Sequence, residues 1–480
     1  MSIHNNHKDT IRIHTFPNHF RVIYQQPKPT QLLPITNINV FCKVGSIYET
    51  EKVRGVCHFV EHMCFKGTKK IIHPKEIFMN YDEIGAYINA YTEKEYTCYT
   101  LKCPDKYVEH STHILADMML NSTFPKKEFI KEQKVVVEEN IRNMNDDEWV
   151  FFDKLNAIFY EGSSFAFPID SITYHPNDDT LKYKDVVEWY KHFYDPGNMV
   201  MSIMSNIPFS EIIHVLTTSF FVKTKSNSCI SIQKIATATI PSLNVLPLIT
   251  PNSSLRIEIF KKKGVSTNFI GVGFRTCNKH HIDKYSLWLL SNILNGLSGR
   301  LFTLLREKHG LTYRSSTYTE NKDHTGYFLI YAETDPHKTI SYTSHNTNGK
   351  SKSKSKSKSK EEIGVLPIIL KLIKDLVNKG ITNEELKIFK GKMKGNYLMD
   401  LQTMDSITTY NGTKYILSSN ITEFQHTFMD YNDIYDTFID KITKEQMNQV
   451  IRQYFVVENR IIYILGETVP SISQVHGCIP

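Results

Sequence analysis

The sequence predicts an α+β protein made of two homologous domains, each an antiparallel-rich sheet with helices packed on it in an α/β-sandwich-like manner. Three observations predict it. Residues 193–204, FYDPGNMVMSIM, and 454–465, YFVVENRIIYIL, share an aromatic pair, three spacer residues, an asparagine and then an apolar strand. Each follows an amphipathic helix, LKYKDVVEWYKH in the first case and KEQMNQVIRQ in the second, so one supersecondary unit occurs twice. Earlier in each half, ITNINVFCKVGS and STNFIGVGFRTC read as strands that lead into helix-rich sequence. Finally, IPSLNVLPLITPNSS, rich in proline and serine, joins the halves. The expected organisation is an N-terminal tail at 1–9, a first domain at 10–235, a linker at 236–254 and a second domain at 255–480. A low-complexity Lys/Ser insertion at about 343–361 accounts for the larger spacing of the late markers.

Composition narrows the class. A chain of 480 residues is too long for one ordinary core. With 41% hydrophobic residues and no apolar run of 18, it reads as a soluble globular protein with no membrane partner. The formal charge is +7, but residues 350–360 alone hold six lysines, which leaves +1 for the rest. Charge therefore gives no argument for nucleic acid. Eight cysteines are scattered without C-x-x-C spacing, as expected of reduced thiols in a cytosol-like compartment. The opening MSIHNNHKDTIRIHTFPNHF lacks the apolar core of a secretory peptide. The strand FRVIYQQ, starting at Phe20, leaves little room for a cleavable presequence, and only the short unassigned stretch before it keeps the mitochondrial matrix as an alternative location.

The chemistry begins at residues 57–70, CHFVEHMCFKGTKK. Residues four apart on a helix share a face, so His58 and His62 can hold one metal ion, while Glu61 can act on a water that the ion activates. Phe59, Val60, Met63 and Phe65 supply the apolar surface that packs this helix. A third ligand is needed, and the segment KKEFIKEQKVVVEENIRNMNDD reads as a helix offering Glu132, Glu138 and Glu139. Glu138 lies between Lys134 and Arg142, one turn away on either side, as on a solvated ion-pair face. Glu139 instead shares an apolar-lined stripe with Val135, Val136 and Glu132. The pattern therefore points to Glu139 as the ligand and to Glu132 as an acid that orients the site.

The stretches VCHFVEHMCFKGTKK, YINAYTEKEYTCYT, EQKVVVEEN and GRLFTLLREKHGLTY together resemble the pitrilysin family of zinc peptidases, with their inverted H-x-x-E-H motif. The likeness runs from TFPNHFRV to the final strand and is strongest toward the mitochondrial processing peptidase β subunit and its bacterial relatives. It implies a clamshell of two domains and one zinc ion held by His58, His62 and Glu139, with Glu61 as general base and Glu132 in support. It also implies that Asn89 and Ala90 belong to an edge strand that receives an extended peptide, and that Arg306 and Tyr313 reach the substrate backbone and the developing oxyanion from the second domain. The implied function is endoproteolysis of peptides or precursor segments by a homodimer, or by a heterodimer with a related chain. The alternative is a non-catalytic subunit that keeps the fold without turnover. Such subunits commonly lose ligands, whereas all five residues of the metal site are present here. Three features depart from the family: NGLSGR has fewer glycines before the arginine helix, His19 stands in the first turn where a positive φ is wanted, and the Lys/Ser insertion is additional.

Overall fold

The computed structural model describes residues 11–27, 33–170, 181–226, 255–323, 325–344, 360–400, 402–418 and 431–479. The expected tail, the linker and most of the Lys/Ser insertion lie outside them. The fold is α+β with two sheet-bearing units. In the first, β1 (Ile11–Thr15), β2 (Arg21–Gln25), β3 (Ile35–Cys42), β4 (Tyr87–Thr92), β5 (Thr97–Pro104) and β6 (Met199–Met204) lie in the order β1-β2-β6-β3-β5-β4. Only β2 and β6 pair in parallel. Flanked on both sides, β6 is buried along its whole length, and so its MVMSIM reads as a continuous apolar run rather than an alternating one.

The second unit holds β7 (Arg256–Lys261), β8 (Asn268–Thr276), β9 (Thr312–Asn321) and β10 (Gly326–Thr334). A separate ribbon pairs β11 (Ser341–Ser344) with β12 (Lys360–Ile363). With β13 (Arg460–Gly466), the main sheet has the order β7-β13-β8-β10-β9. This repeats β2-β6-β3-β5-β4, including the parallel pair, now β7 with β13. Cys42 pairs with Met199 as Phe274 pairs with Arg460, so equivalent residues are 232 apart at β3 and 261 apart at β6.

The compact units are not the two contiguous blocks expected from the sequence. One comprises Met1–Asp146, Tyr160–Leu243 and Leu398–Asp430, and the other Asp147–Phe159, Asn244–Tyr397 and Tyr431–Pro480. Each half of the chain lends a helix to the other's sheet, and side-chain chemistry explains why. Asn37, Asn39 and Phe41 share one face of β3, where buried amides need partners. The helix Met404–Ile416 supplies them: Asn37 Nδ2 donates to Thr408 Oγ1, and Asn39 Nδ2 to Thr409 Oγ1 at 2.9 Å. Its Gly412 sits directly on the Phe41 ring, while Tyr415 and Ile416 join Ile23, Phe41, Cys98 and Val200 in one apolar cluster. On β8 the fit is inverted. Gly271 and Gly273 leave a trough for Phe151, Leu155 and Phe159 of the helix Asp147–Phe159, and a Cβ at Gly271 would lie 3.0 Å from Phe151 Cζ.

In the turn between β1 and β2, His19 does adopt φ 66°. Asn18 beside it anchors the turn, its side-chain amide donating to the carbonyls of Phe221, Val222 and Thr224.

Because a Cβ at Gly412 would run into Phe41, Gly412→Val should destabilise the chain by about 1–3 kcal/mol. The effect should appear as a fall in urea midpoint, and Phe41→Leu in the same chain should recover part of it. A Gly412→Val chain as stable as wild type would contradict this packing.

Candidate metal centre

The helix Val56–Met63 has only eight residues, too few to persist alone in water, so its geometry comes from packing and capping. Val56, Phe59, Val60 and Met63 are buried, and the Phe59 ring meets Phe129 edge-on at 5.0 Å on the helix Lys126–Asn145. Gly55 enters with φ 78°, a left-handed conformation that glycine adopts without strain. The first-turn N–H groups are met by a buried carboxylate. Gly55 N–H donates to Glu49 Oε2 at 2.8 Å, and Cys57 N–H to Oε1 at 2.9 Å. Burial outweighs these bonds and pushes the Glu49 carboxyl up to about 7.

This helix and Lys126–Asn145 bring His58, His62 and Glu139 together. The Nε2 atoms of the two histidines lie 3.0 Å apart, and Glu139 Oε2 is 3.9 Å from the first and 3.6 Å from the second. Among the described residues, these form the one group of three or more His, Cys, Asp or Glu side chains whose ligand atoms all lie within 4.8 Å of one another. His62 Nδ1 is hydrogen-bonded to Glu132 Oε1 at 2.8 Å, and Lys66 Nζ reaches Glu132 Oε2 at 2.7 Å. Burial alone would lower the His62 pKa and raise that of Glu132. Their mutual hydrogen bond, helped at Glu132 by Lys66, reverses both, so His62 is raised and Glu132 lowered.

The donor set fits zinc. With Nδ1 of His62 engaged by a carboxylate, its Nε2 presents a lone pair, and it faces another imidazole Nε2 at 3.0 Å. A cation relieves that arrangement. Two ligands at about 2.0–2.1 Å on a tetrahedral ion stand roughly 3.3 Å apart, within the range of spacings found here.

Glu61 is buried at 7% exposure, and its Oε2 accepts a 2.8 Å hydrogen bond from Thr92 Oγ1 at the end of β4. Burial raises its pKa, against the opposing pull of both histidines and Thr92. Asn89 and Ala90 lie on β4, which ends the first sheet and among the described residues has no strand on its far side. The Ala90 N–H is met by Asn89 Oδ1 at 2.9 Å. In the second unit, Arg306 belongs to the π-helical turn Phe302–Lys308, and its guanidinium carbon stands 5.8 Å from the centroid of the Tyr313 ring. Tyr313 is 89% exposed in β9, opposite the Glu333/Thr334 bulge, so it is no core aromatic.

One ion pair differs from the sequence expectation. Arg142 pairs with Glu139 Oε1 at 3.2 Å, since three residues along a helix bring it onto the same face. Glu138 is exposed. Sequence reasoning missed Glu49, Lys66, Thr92 and Asp170, whose Oδ1 lies 3.0 Å from His58 Nδ1. Lys66, four residues after His62, carried a legible signal and Glu49 lies just ahead of the helix it caps, whereas Thr92 and Asp170 act through tertiary contacts.

Comparison with known proteins follows the same lines. The family model for insulinase, peptidase family M16, matches residues 21–169, and that for the peptidase M16 inactive domain matches residues 180–393. The chain belongs to peptidase family M16. An uncharacterized zinc protease, YmxG, of Bacillus subtilis (strain 168) is 28% identical over 95% of this chain and 98% of its own length. The mitochondrial-processing peptidase subunit beta of Caenorhabditis elegans is 31% identical over 43% of each chain. In fold, the crystal structure of a protease from Helicobacter pylori superposes with a TM-score of 0.76 at 18% identity, covering 95% of this chain and 99% of that one. This family of zinc peptidases is the pitrilysin-type group that the motifs resemble.

Two outcomes follow from the geometry. In zinc titrations, Glu139→Gln should weaken or abolish binding while Glu138→Gln leaves it unchanged, and the reverse would mean that the helix presents the other acid. In the metal-free chain, Glu49 holds its proton more tightly when folded than at its ordinary value of 4.5. Its contribution to stability is therefore full below about pH 4.5 and lost as the pH rises through about 7. The stability of wild type relative to Glu49→Gln should decline across that window, and a constant difference would contradict a raised Glu49.

Proposed function

We propose that the chain is a zinc-dependent endopeptidase that hydrolyses peptides or precursor segments bound as extended strands. The observation that carries this reading is the convergence of His58, His62 and Glu139 donor atoms beside the buried carboxylate of Glu61. A zinc ion held by those three side chains supplies Lewis acidity, lowering the pKa of water toward neutrality and polarising the peptide carbonyl. Glu61, with Thr92 fixing one oxygen, takes the proton that water gives up as it attacks. It then passes that proton to the departing amine nitrogen. Glu132 keeps the His62 ring oriented and its Nε2 free to coordinate.

An extended peptide adds along the open edge of β4 by backbone pairing, displacing the Asn89 side chain from the Ala90 N–H. Arg306 and Tyr313 donate to the peptide backbone and to the oxygen on which negative charge develops. Their mutual packing and the exposure of Tyr313 support that role. The name of one relative, a peptidase subunit, supports assembly with a like or a related chain.

Glu61→Gln should abolish hydrolysis of a quenched peptide with zinc content unchanged, because the amide keeps the shape but takes no proton. Tyr313→Phe should keep zinc and lower turnover about a hundredfold to a thousandfold, the usual loss of one oxyanion donor. A wild-type chain that binds zinc yet cleaves nothing, alone or with copurifying chains, would favour the non-catalytic subunit instead. A Glu61→Gln chain that keeps most of its activity would remove that residue as the base.

A further inference from the structure

We infer that Asp170 is a positioning residue of the metal centre, holding the His58 imidazole as Glu132 holds that of His62; the inference rests on the zinc reading. Glu132 engages His62 Nδ1 at 2.8 Å, and Asp170 Oδ1 stands 3.0 Å from His58 Nδ1. Among the described residues His58 Nδ1 is buried and makes no hydrogen bond, and Asp170 Oδ1 is the acceptor that stands beside it, off the line of the ring N–H. With a carboxylate at each Nδ1, both rings keep the proton there and turn Nε2 lone pairs toward the space that Glu139 also faces.

Asp170 is itself held from two sides. Asn143 Nδ2 donates to its other oxygen, Oδ2, at 2.8 Å. Asn143 follows Glu139 by one helical turn, so the helix that supplies the carboxylate ligand also orients the carboxylate behind His58. The segment just before Asp170 is pinned in turn. Lys94 Nζ, in the turn between β4 and β5, donates to Phe165 O at 3.2 Å and also to Phe167 O, and the Arg54 guanidinium stacks on the Phe167 ring. The backbone five and three residues before Asp170 is thus anchored by Lys94, two residues after Thr92 at the end of β4.

The test compares wild type with Asp170→Ala, Asp170→Asn and Asn143→Ala in the full-length chain, using zinc competition against a chromogenic chelator and ¹⁵N NMR of the imidazoles in the metal-free protein. Asp170→Ala should weaken zinc about 10–100-fold, with thermal stability of the metal-free chain little changed. Asp170→Asn, which still offers an oxygen acceptor, should fall between it and wild type, and Asn143→Ala should give a smaller loss in the same direction. In the metal-free protein the His58 signals should move away from the Nδ1-protonated tautomer in Asp170→Ala, while those of His62 stay. Zinc affinity within twofold of wild type, or a His58 tautomer indifferent to Asp170→Ala, overturns the inference and leaves the zinc reading standing. If wild type takes up no zinc, that reading falls on its own, and the imidazole signals still decide whether Asp170 orients His58.

Discussion

Two imidazole nitrogens facing each other at 3.0 Å are the constraint around which the first unit is organised. Left alone, such a contact is tolerated only when one ring donates to the other or a cation lies between them. The surroundings favour the cation. Glu132 accepts the hydrogen bond of His62 Nδ1–H on the far side of its ring, Glu139 brings an oxygen to within 4 Å of both Nε2 atoms, and Lys66 keeps Glu132 ionised. Glu61 is buried but not aimed into this triad of donors, and Thr92 holds one of its oxygens. One short helix thus carries the two proposed histidine ligands and the proposed base side by side, in different environments.

A helix of eight residues keeps such tolerances only if something else sets its position. Glu49 caps its start, Phe129 receives Phe59, and the sheet beneath gives the whole assembly a rigid floor. That floor is completed from a distance. The β3 face bearing Asn37, Asn39 and Phe41 is covered by Met404–Ile416, so the unit with the candidate metal centre is not contained in the first half of the sequence. The reciprocal loan, Asp147–Phe159 over Gly271 and Gly273, follows the helix that carries Glu139 after a single intervening residue. The repeat has accordingly diverged at its contacts while keeping strand order: a glycine lies on the helix in one unit and on the strand in the other.

Much of this was legible in the sequence because it depends on short-range periodicity. Spacing of four placed His58 and His62 on one face; of the stripe that set Glu139 apart from the exposed Glu138, Val136 and Glu132 are buried but Val135 is exposed. Markers such as FYDPGN and YFVVEN announced the repeat, and the strands after them occupy equivalent places in the two sheets. The partner of Arg142 was misjudged, since both acids lie within reach of it along the helix and only packing decides between them. Asp170 and Thr92 were not legible, because each acts on a residue brought near by the fold, while Glu49 lies close in sequence to the helix it caps but outside helical spacing. The exchanged helices left traces that were not read: two glycines in FIGVGF and two asparagines in ITNINVF each mark a strand face awaiting a particular partner.

The most direct measurement of the central claim is X-ray absorption at the zinc edge on the purified full-length chain, with metal content determined on the same sample. The account predicts one zinc per chain, with two imidazole nitrogens at about 2.0–2.1 Å, light oxygen ligands at about 2.0–2.2 Å and no sulfur. A chain without zinc, or one whose zinc sits among thiolates at about 2.3 Å, would contradict it.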